Sequence, residues 1–175
     1  MAARLHRGFT LIELLVTATI AILLLVLAMP GYTLWVADSE IRNGAQSVAG
    51  GLRTAQAAAI THNLDAQFVL AANGWSVAMV ATPLVPIQTG SFNEGAKNVT
   101  FVGLDATPAA ATTVAFNALG QVVPNAGNLV QIDVTMPSVA GTRPLRVLVG
   151  NGRTGVKMCD PDPGIVFPDP KACPP

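Results

Sequence analysis

From Phe9 to Met29 the chain runs for 21 residues with one charged side chain, Glu13. At ~1.5 Å per helical residue this run spans about 30 Å, the thickness of one bilayer core. Arg4, His6 and Arg7 stand before it, and a basic flank marks the end that stays in the cytoplasm. A secretory signal has a shorter apolar core and a small-residue cleavage pattern after it. Here Pro30-Gly31 follow instead. A single-span anchor fits the length but gives no reason for Glu13, whose charge is costly in hydrocarbon unless it stays near the interface or is paired.

The order of residues around that acid is informative. Gly8-Phe9-Thr10-Leu11-Ile12-Glu13 closely resembles the processing site of type IV pilins and type II secretion pseudopilins. The resemblance implies cleavage after Gly8 by a prepilin peptidase on the cytoplasmic side, then N-methylation of Phe9 by the same enzyme. It also implies that Glu13 pairs with the N-terminal amine of a neighbouring subunit during assembly. A buried carboxylate is tolerable when so paired. Pro30 resembles a proline at the matching position in pilins; a helix end at the membrane surface is the plainer reading.

Beyond Pro30 the residues Leu34, Ile41, Ala45, Val48, Leu52, Ala55 and Ala59 recur at helical steps. This spacing predicts a helix from about Phe9 to about Thr61, bent or loosened near Pro30. Its outer half should pack its stripe on a soluble domain. Gly44, Gly50 and Gly51 weaken a helix, and small residues there let a sheet come close. Leu52 to Asn63 resembles the helix end of the GspH/FimT branch of pseudopilins.

After Asn63 the period becomes alternating. Ala66–Ala71 and Trp75–Val80 read as a hairpin. Thr82 to Gly95, with Pro83, Pro86 and Gly90, reads as a loop. Val99–Val102, Thr113–Asn117, Leu129–Thr135, Leu145–Val149 and Gly155–Met158 complete seven strand candidates in an antiparallel sheet. Phe116-Asn117-Ala118-Leu119-Gly120-Gln121-Val122 resembles the strand and glycine turn midway through GspH/FimT domains.

The expected class is α+β: a pilin-like fold with a long N-terminal helix, half in the membrane and half amphipathic, packed on an antiparallel sheet domain. Five segments follow: a leader over 1–8, a transmembrane and assembly helix over 9–29, an amphipathic half over 30–62, a periplasmic sheet domain over 63–158, and a Pro-rich tail over 159–175. The tail holds both cysteines, Cys159 and Cys173. An even count in an exported chain argues for a disulfide. Asp160, Asp162 and Asp169 lack the spacing of an EF-hand loop and read as solvated turns.

Nothing here suggests an enzyme or a cofactor. Once 1–8 are removed, His62 is the only histidine, and no Ser/His/Asp set, phosphate loop or metal cluster is visible. The formal net charge is zero, and loss of Arg4 and Arg7 makes it slightly acidic. Global charge therefore gives no argument for nucleic acid.

One local feature points to DNA as a partner. Arg143, Arg146, Arg153 and Lys157 fall in a stretch without acids between Val134 and Cys159. Some FimT-type minor pilins bind DNA through a GRxR motif. Gly152-Arg153-Thr154-Gly155 keeps its first two residues and has Gly155 in place of the second Arg. A solvated sheet face is the alternative reading.

The expected function is that of a minor pilin or pseudopilin, a structural subunit initiating or capping a type IV pilus or a type II secretion pseudopilus. Its partners would be the peptidase, other pilins or pseudopilins, and the bacterial inner membrane, crossed once with the C-terminal domain in the periplasm. The alternatives are a DNA-binding minor pilin for transformation and an unrelated single-span anchor carrying a periplasmic domain.

Overall fold

The computed structural model describes residues 9–82, 85–150, 155–166 and 168–174. The helix α1 occupies Leu11–His62 and continues without a break through Pro30. The chain divides into two compact units, Met1–Val36 and Ala37–Pro175.

In the second unit α1 is covered on one side. Ala37, Ile41, Gly44, Ala45, Val48, Ala49, Gly51, Leu52, Ala55, Ala58 and Ala59 are buried, while Arg42, Asn43, Gln46 and Arg53 stay exposed. The helix ends because Asn63 takes a left-handed conformation, with φ 52°. Its N–H then reaches the Ile60 carbonyl, and the Leu64 N–H reaches Ala59, both at 3.3 Å. That pair of bonds is a Schellman cap.

Among the described residues eight strands follow: β1 Ala66–Ala71, β2 Gly74–Met79, β3 Pro86–Ser91, β4 Thr100–Leu104, β5 Thr113–Phe116, β6 Gln131–Thr135, β7 Leu145–Val149 and β8 Val156–Cys159. They form two four-stranded antiparallel sheets, in the orders β3-β2-β1-β5 and β4-β6-β7-β8. The expectation of seven strands is therefore corrected in number, and the strands divide between two sheets.

The added strand is β3, in the segment read as a loop. Its prolines and glycine fit an edge position. Pro86 opens the strand, where a missing N–H is least disruptive, and every β3 residue except Gly90 is exposed. Gly90 is required by packing, since a Cβ there would collide with the Trp75 indole.

Alternation supplies the core. Ala66, Phe68 and Leu70 of β1, Val114 and Phe116 of β5, Ile132 and Val134 of β6, and Val147 of β7 point inward and join the α1 stripe in one cluster. Among the described residues the buried side chains are all apolar. Two helix glycines set how closely the sheets approach. A Cβ on Gly44 would lie 2.7 Å from the Phe101 ring, and one on Gly51 would lie 2.7 Å from Trp75.

The turn after β5 also docks on the helix. The Asn117 side chain accepts from the Leu119 and Gln121 N–H groups, each at 3.0 Å. Gly120 follows with φ +72°, and Gln56 Nε2 donates to its carbonyl at 2.8 Å.

Candidate assembly site

The site begins where α1 begins. Thr10 stands just before the first helical residue, and its Oγ1 accepts from the Glu13 N–H at 3.3 Å. Its carbonyl accepts from the Leu14 N–H at 3.2 Å. Thr10-Leu11-Ile12-Glu13 thus has the spacing of a capping box, with the acid at the third helical position. An acid in the first turn also suits the positive end of the helix dipole. This local role of Thr10 and Glu13 is legible as T-x-x-E, a signal overshadowed by the apolar run.

Phe9 is exposed, and the large apolar residues from Leu11 to Met29 are exposed as well. Such a continuous apolar surface requires a membrane or neighbouring chains to cover it. The hydroxyls inside the run are satisfied within the helix. Thr17 donates to the Leu14 carbonyl at 3.0 Å, and Thr19 donates to Val16 at 2.8 Å. Thr33 does the same at Pro30, at 2.9 Å. Pro30 lacks an N–H, so one rung of the ladder is missing there.

The basic residues separate. Arg146 sits opposite Asp133 on the β6–β7 pair, and its Nε and Nη2 donate to the two carboxylate oxygens at 2.6 and 3.0 Å. That hydrogen-bonded pairing raises the Arg146 pKa against a smaller opposing effect of burial. The acid-free stretch is thus countered by an acid just outside it, visible once the register is known. Lys157 lies opposite Leu148, two positions along from Arg146, and so shares its face.

Arg143 precedes β7. Its backbone N–H donates to Asp38 Oδ1 at 2.9 Å, and it lines a cleft of about 440 Å³ with Asp38, Arg42 and Lys171. Arg153, like Gly8, lies outside the described residues.

Cys159 and Cys173 are joined by a disulfide with a Cα–Cα distance of 4.9 Å. The tail folds back on the end of β8, where the Asp160 N–H donates to the Lys171 carbonyl at 2.8 Å and Asp160 bridges Ala172. Asp160, Asp162 and Asp169 each accept a backbone N–H two residues ahead. Among the described residues no group of three His, Cys, Asp or Glu could hold a metal ion.

The architecture and the helix start together invite comparison with known proteins. Residues 3–29 match the model of the prokaryotic N-terminal methylation motif, and residues 44–153 match that of the type II transport protein GspH. The chain belongs to the GspH family. It is a structural subunit of the minor pilin and pseudopilin kind, not an enzyme.

The minor pseudopilin EpsH from the type 2 secretion system of Vibrio cholerae shares its fold with a TM-score of 0.50 at 13% identity, covering 70% of this chain and 98% of EpsH. Two crystal forms of the type IV minor pilin FimU from Pseudomonas aeruginosa align with TM-scores of 0.47 and 0.48, at 13% and 15% identity. They cover 67% and 68% of this chain, and 90% and 87% of FimU. No curated protein matches the GspH-family chain at a significant level.

Proposed function

We propose that the mature subunit begins at an N-methylated Phe9, after cleavage behind Gly8, and that it enters a type IV pilus or type II secretion pseudopilus as an initiating or tip subunit. The observation that carries this reading is the uncovered apolar helix that opens on Thr10-Leu11-Ile12-Glu13 directly after Phe9. Before assembly the helix stands in the bacterial inner membrane, with the basic leader in the cytoplasm and the sheet domain in the periplasm.

Glu13 pairs with the free amine of a neighbour's Phe9. The apolar surface is then transferred from lipid to adjoining helices, and a low-dielectric bundle strengthens the pairing of opposite charges. Family membership supports this reading, as does the methylation motif matched over residues 3–29.

Intact-mass measurement of chain purified from its native membrane tests it. The expected mass starts at Phe9 and carries one added methyl group. A chain that keeps Met1–Gly8 in cells with an active prepilin peptidase overturns it.

A further inference from the structure

The uncharged part of α1 is longer than a bilayer core. No charge occurs from Leu14 to Ala37, roughly 24 residues or about 36 Å of helix against about 30 Å of hydrocarbon. Charge alone therefore leaves the outer membrane boundary undefined by about a turn.

Two aromatic side chains, Tyr32 and Trp35, stand near that outer end. Tyr32 and Trp35 are 65% and 66% exposed. They stand one turn apart, with ring centroids 6.2 Å apart and planes tilted by 34°. Tyr32 lies about 4.5 Å and Trp35 about 9 Å beyond Met29 along the axis. Helical side chains lean toward the N-terminus, so both rings reach back toward the apolar run. The headgroup layer is about 5–8 Å thick on each side. Tyr and Trp favour that layer because each has an apolar body and a polar tip. The first charge, Asp38, comes just after them.

We propose that Tyr32 and Trp35 form a docking surface for phospholipid headgroups that fixes how deeply the anchor sits before assembly. It rests on the membrane-anchor reading and adds the place where the membrane ends. The surface belongs to the inserted subunit, and the lipid is recognised by its interfacial layer, not by a particular headgroup.

Depth-dependent quenching tests it. The chain has two tryptophans, so the full-length Trp75→Phe variant leaves Trp35 as the emitter. The difference between wild type and Trp35→Phe gives the same signal with Trp75 in place. The protein is floated with phosphatidylethanolamine and phosphatidylglycerol vesicles whose acyl chains carry bromine near the headgroup or near the chain middle.

Trp35 emission is expected to be quenched at least twofold more strongly by the shallow bromine. Equal or stronger quenching by the deep bromine overturns the proposal. So does unquenched emission in floated protein, which would leave Trp35 to the water or to a neighbouring subunit. A chain that fails to float with vesicles overturns the anchor reading along with it.

Discussion

The Trp75 indole N–H donates to Ser47 Oγ at 2.9 Å, fastening β2 to the outer half of α1. The ring itself is buried, stacked near Phe68 at 5.9 Å between centroids. Its one polar atom is thus satisfied by a serine on the helix. In Ser47→Ala the indole loses this partner, and leaving a buried donor unpaired costs about 1–3 kcal/mol. Chemical unfolding in detergent, followed by near-UV circular dichroism, should show that loss. Unchanged stability would mean that another group accepts the indole proton.

The adjacent glycines of α1 should respond in opposite directions. A Cβ at Gly51 would meet Trp75 and Phe68 at 2.7 and 2.9 Å, whereas nothing lies within 4 Å of one at Gly50. Gly51→Ala gains helix propensity but overpacks the core, for a net loss of about 1–2 kcal/mol. Gly50→Ala has no such contact and should gain about 0.4–1 kcal/mol. Thermal unfolding of the two variants side by side checks this. A gain in stability for both would show that backbone propensity outweighs packing.

These glycines also show how far the sequence could be read. The stripe through Ile41, Ala45, Val48, Leu52, Ala55 and Ala59 was legible because a 3.6-residue period survives interruption by small residues. Gly44 and Gly51 could be read as points of close approach, but nothing local distinguishes them from Gly50. The distinction lies in Phe101 and Trp75, which are distant along the chain. β3 was hidden because Pro86 and Gly90 carry turn signals, while their tolerance in a strand depends on edge position and on the ring above Gly90. The division into two sheets was hidden for a related reason. Alternation shows which side chains face inward, but not which strand pairs with which. At the helix start the order Thr10-Leu11-Ile12-Glu13 was visible, because a cap is built from neighbouring residues. The basic residues were visible as types, whereas the partnership of Arg146 with Asp133 needed the cross-strand register.

The loop after β4 should carry a distinct pH signature. Asp105 accepts from the Ala109 N–H at 2.9 Å, and from the Thr107 hydroxyl and N–H at 2.8 and 2.7 Å. Its pKa is lowered from the ordinary 3.8, first by the Ala109 amide and then by the two Thr107 groups. A carboxyl depressed in the folded state contributes stability above its unfolded pKa and loses it as pH falls through the folded value. The Thr107 and Ala109 amide resonances should therefore titrate below the normal aspartate range, and Asp105→Asn should abolish that transition. A midpoint at or above the ordinary value would refute the role of these hydrogen bonds in holding the loop.

The disulfide should hold the tail where packing is sparse. Cys159 is buried at the end of β8, but most of the described tail beyond it is exposed or half-buried. Closing a loop of about 15 residues stabilises by ~3 kcal/mol in the chain-entropy model. Replacing both cysteines by serine should lower stability by about 2–4 kcal/mol and open the tail to proteolysis between Asp160 and Lys171. The β6–β7 pair should keep its register, since its ladder does not depend on the tail. Loss of the entire sheet's amide protection would instead make the staple a requirement for folding.

Glu13 has a local role and a proposed intermolecular one, and a single atom change separates them. Glutamine also satisfies the third position of a capping box, so Glu13→Gln should leave the start of α1 and its helix content intact. It also removes a charge from the apolar run, so membrane insertion should be unchanged or improved. In the proposed pairing, the charge itself is what a neighbour's amine requires. Removing one member of a buried pair costs about 3–5 kcal/mol, so incorporation into filaments should fall by at least ~10-fold. Thr10→Ala provides the reverse case: the cap weakens by about 0.5–2 kcal/mol while the acid remains, and incorporation should persist. Quantifying both variants in sheared filaments against their membrane pools gives the comparison. If Glu13→Gln assembled as well as the unaltered chain while Thr10→Ala failed, the acid would be there for the helix alone.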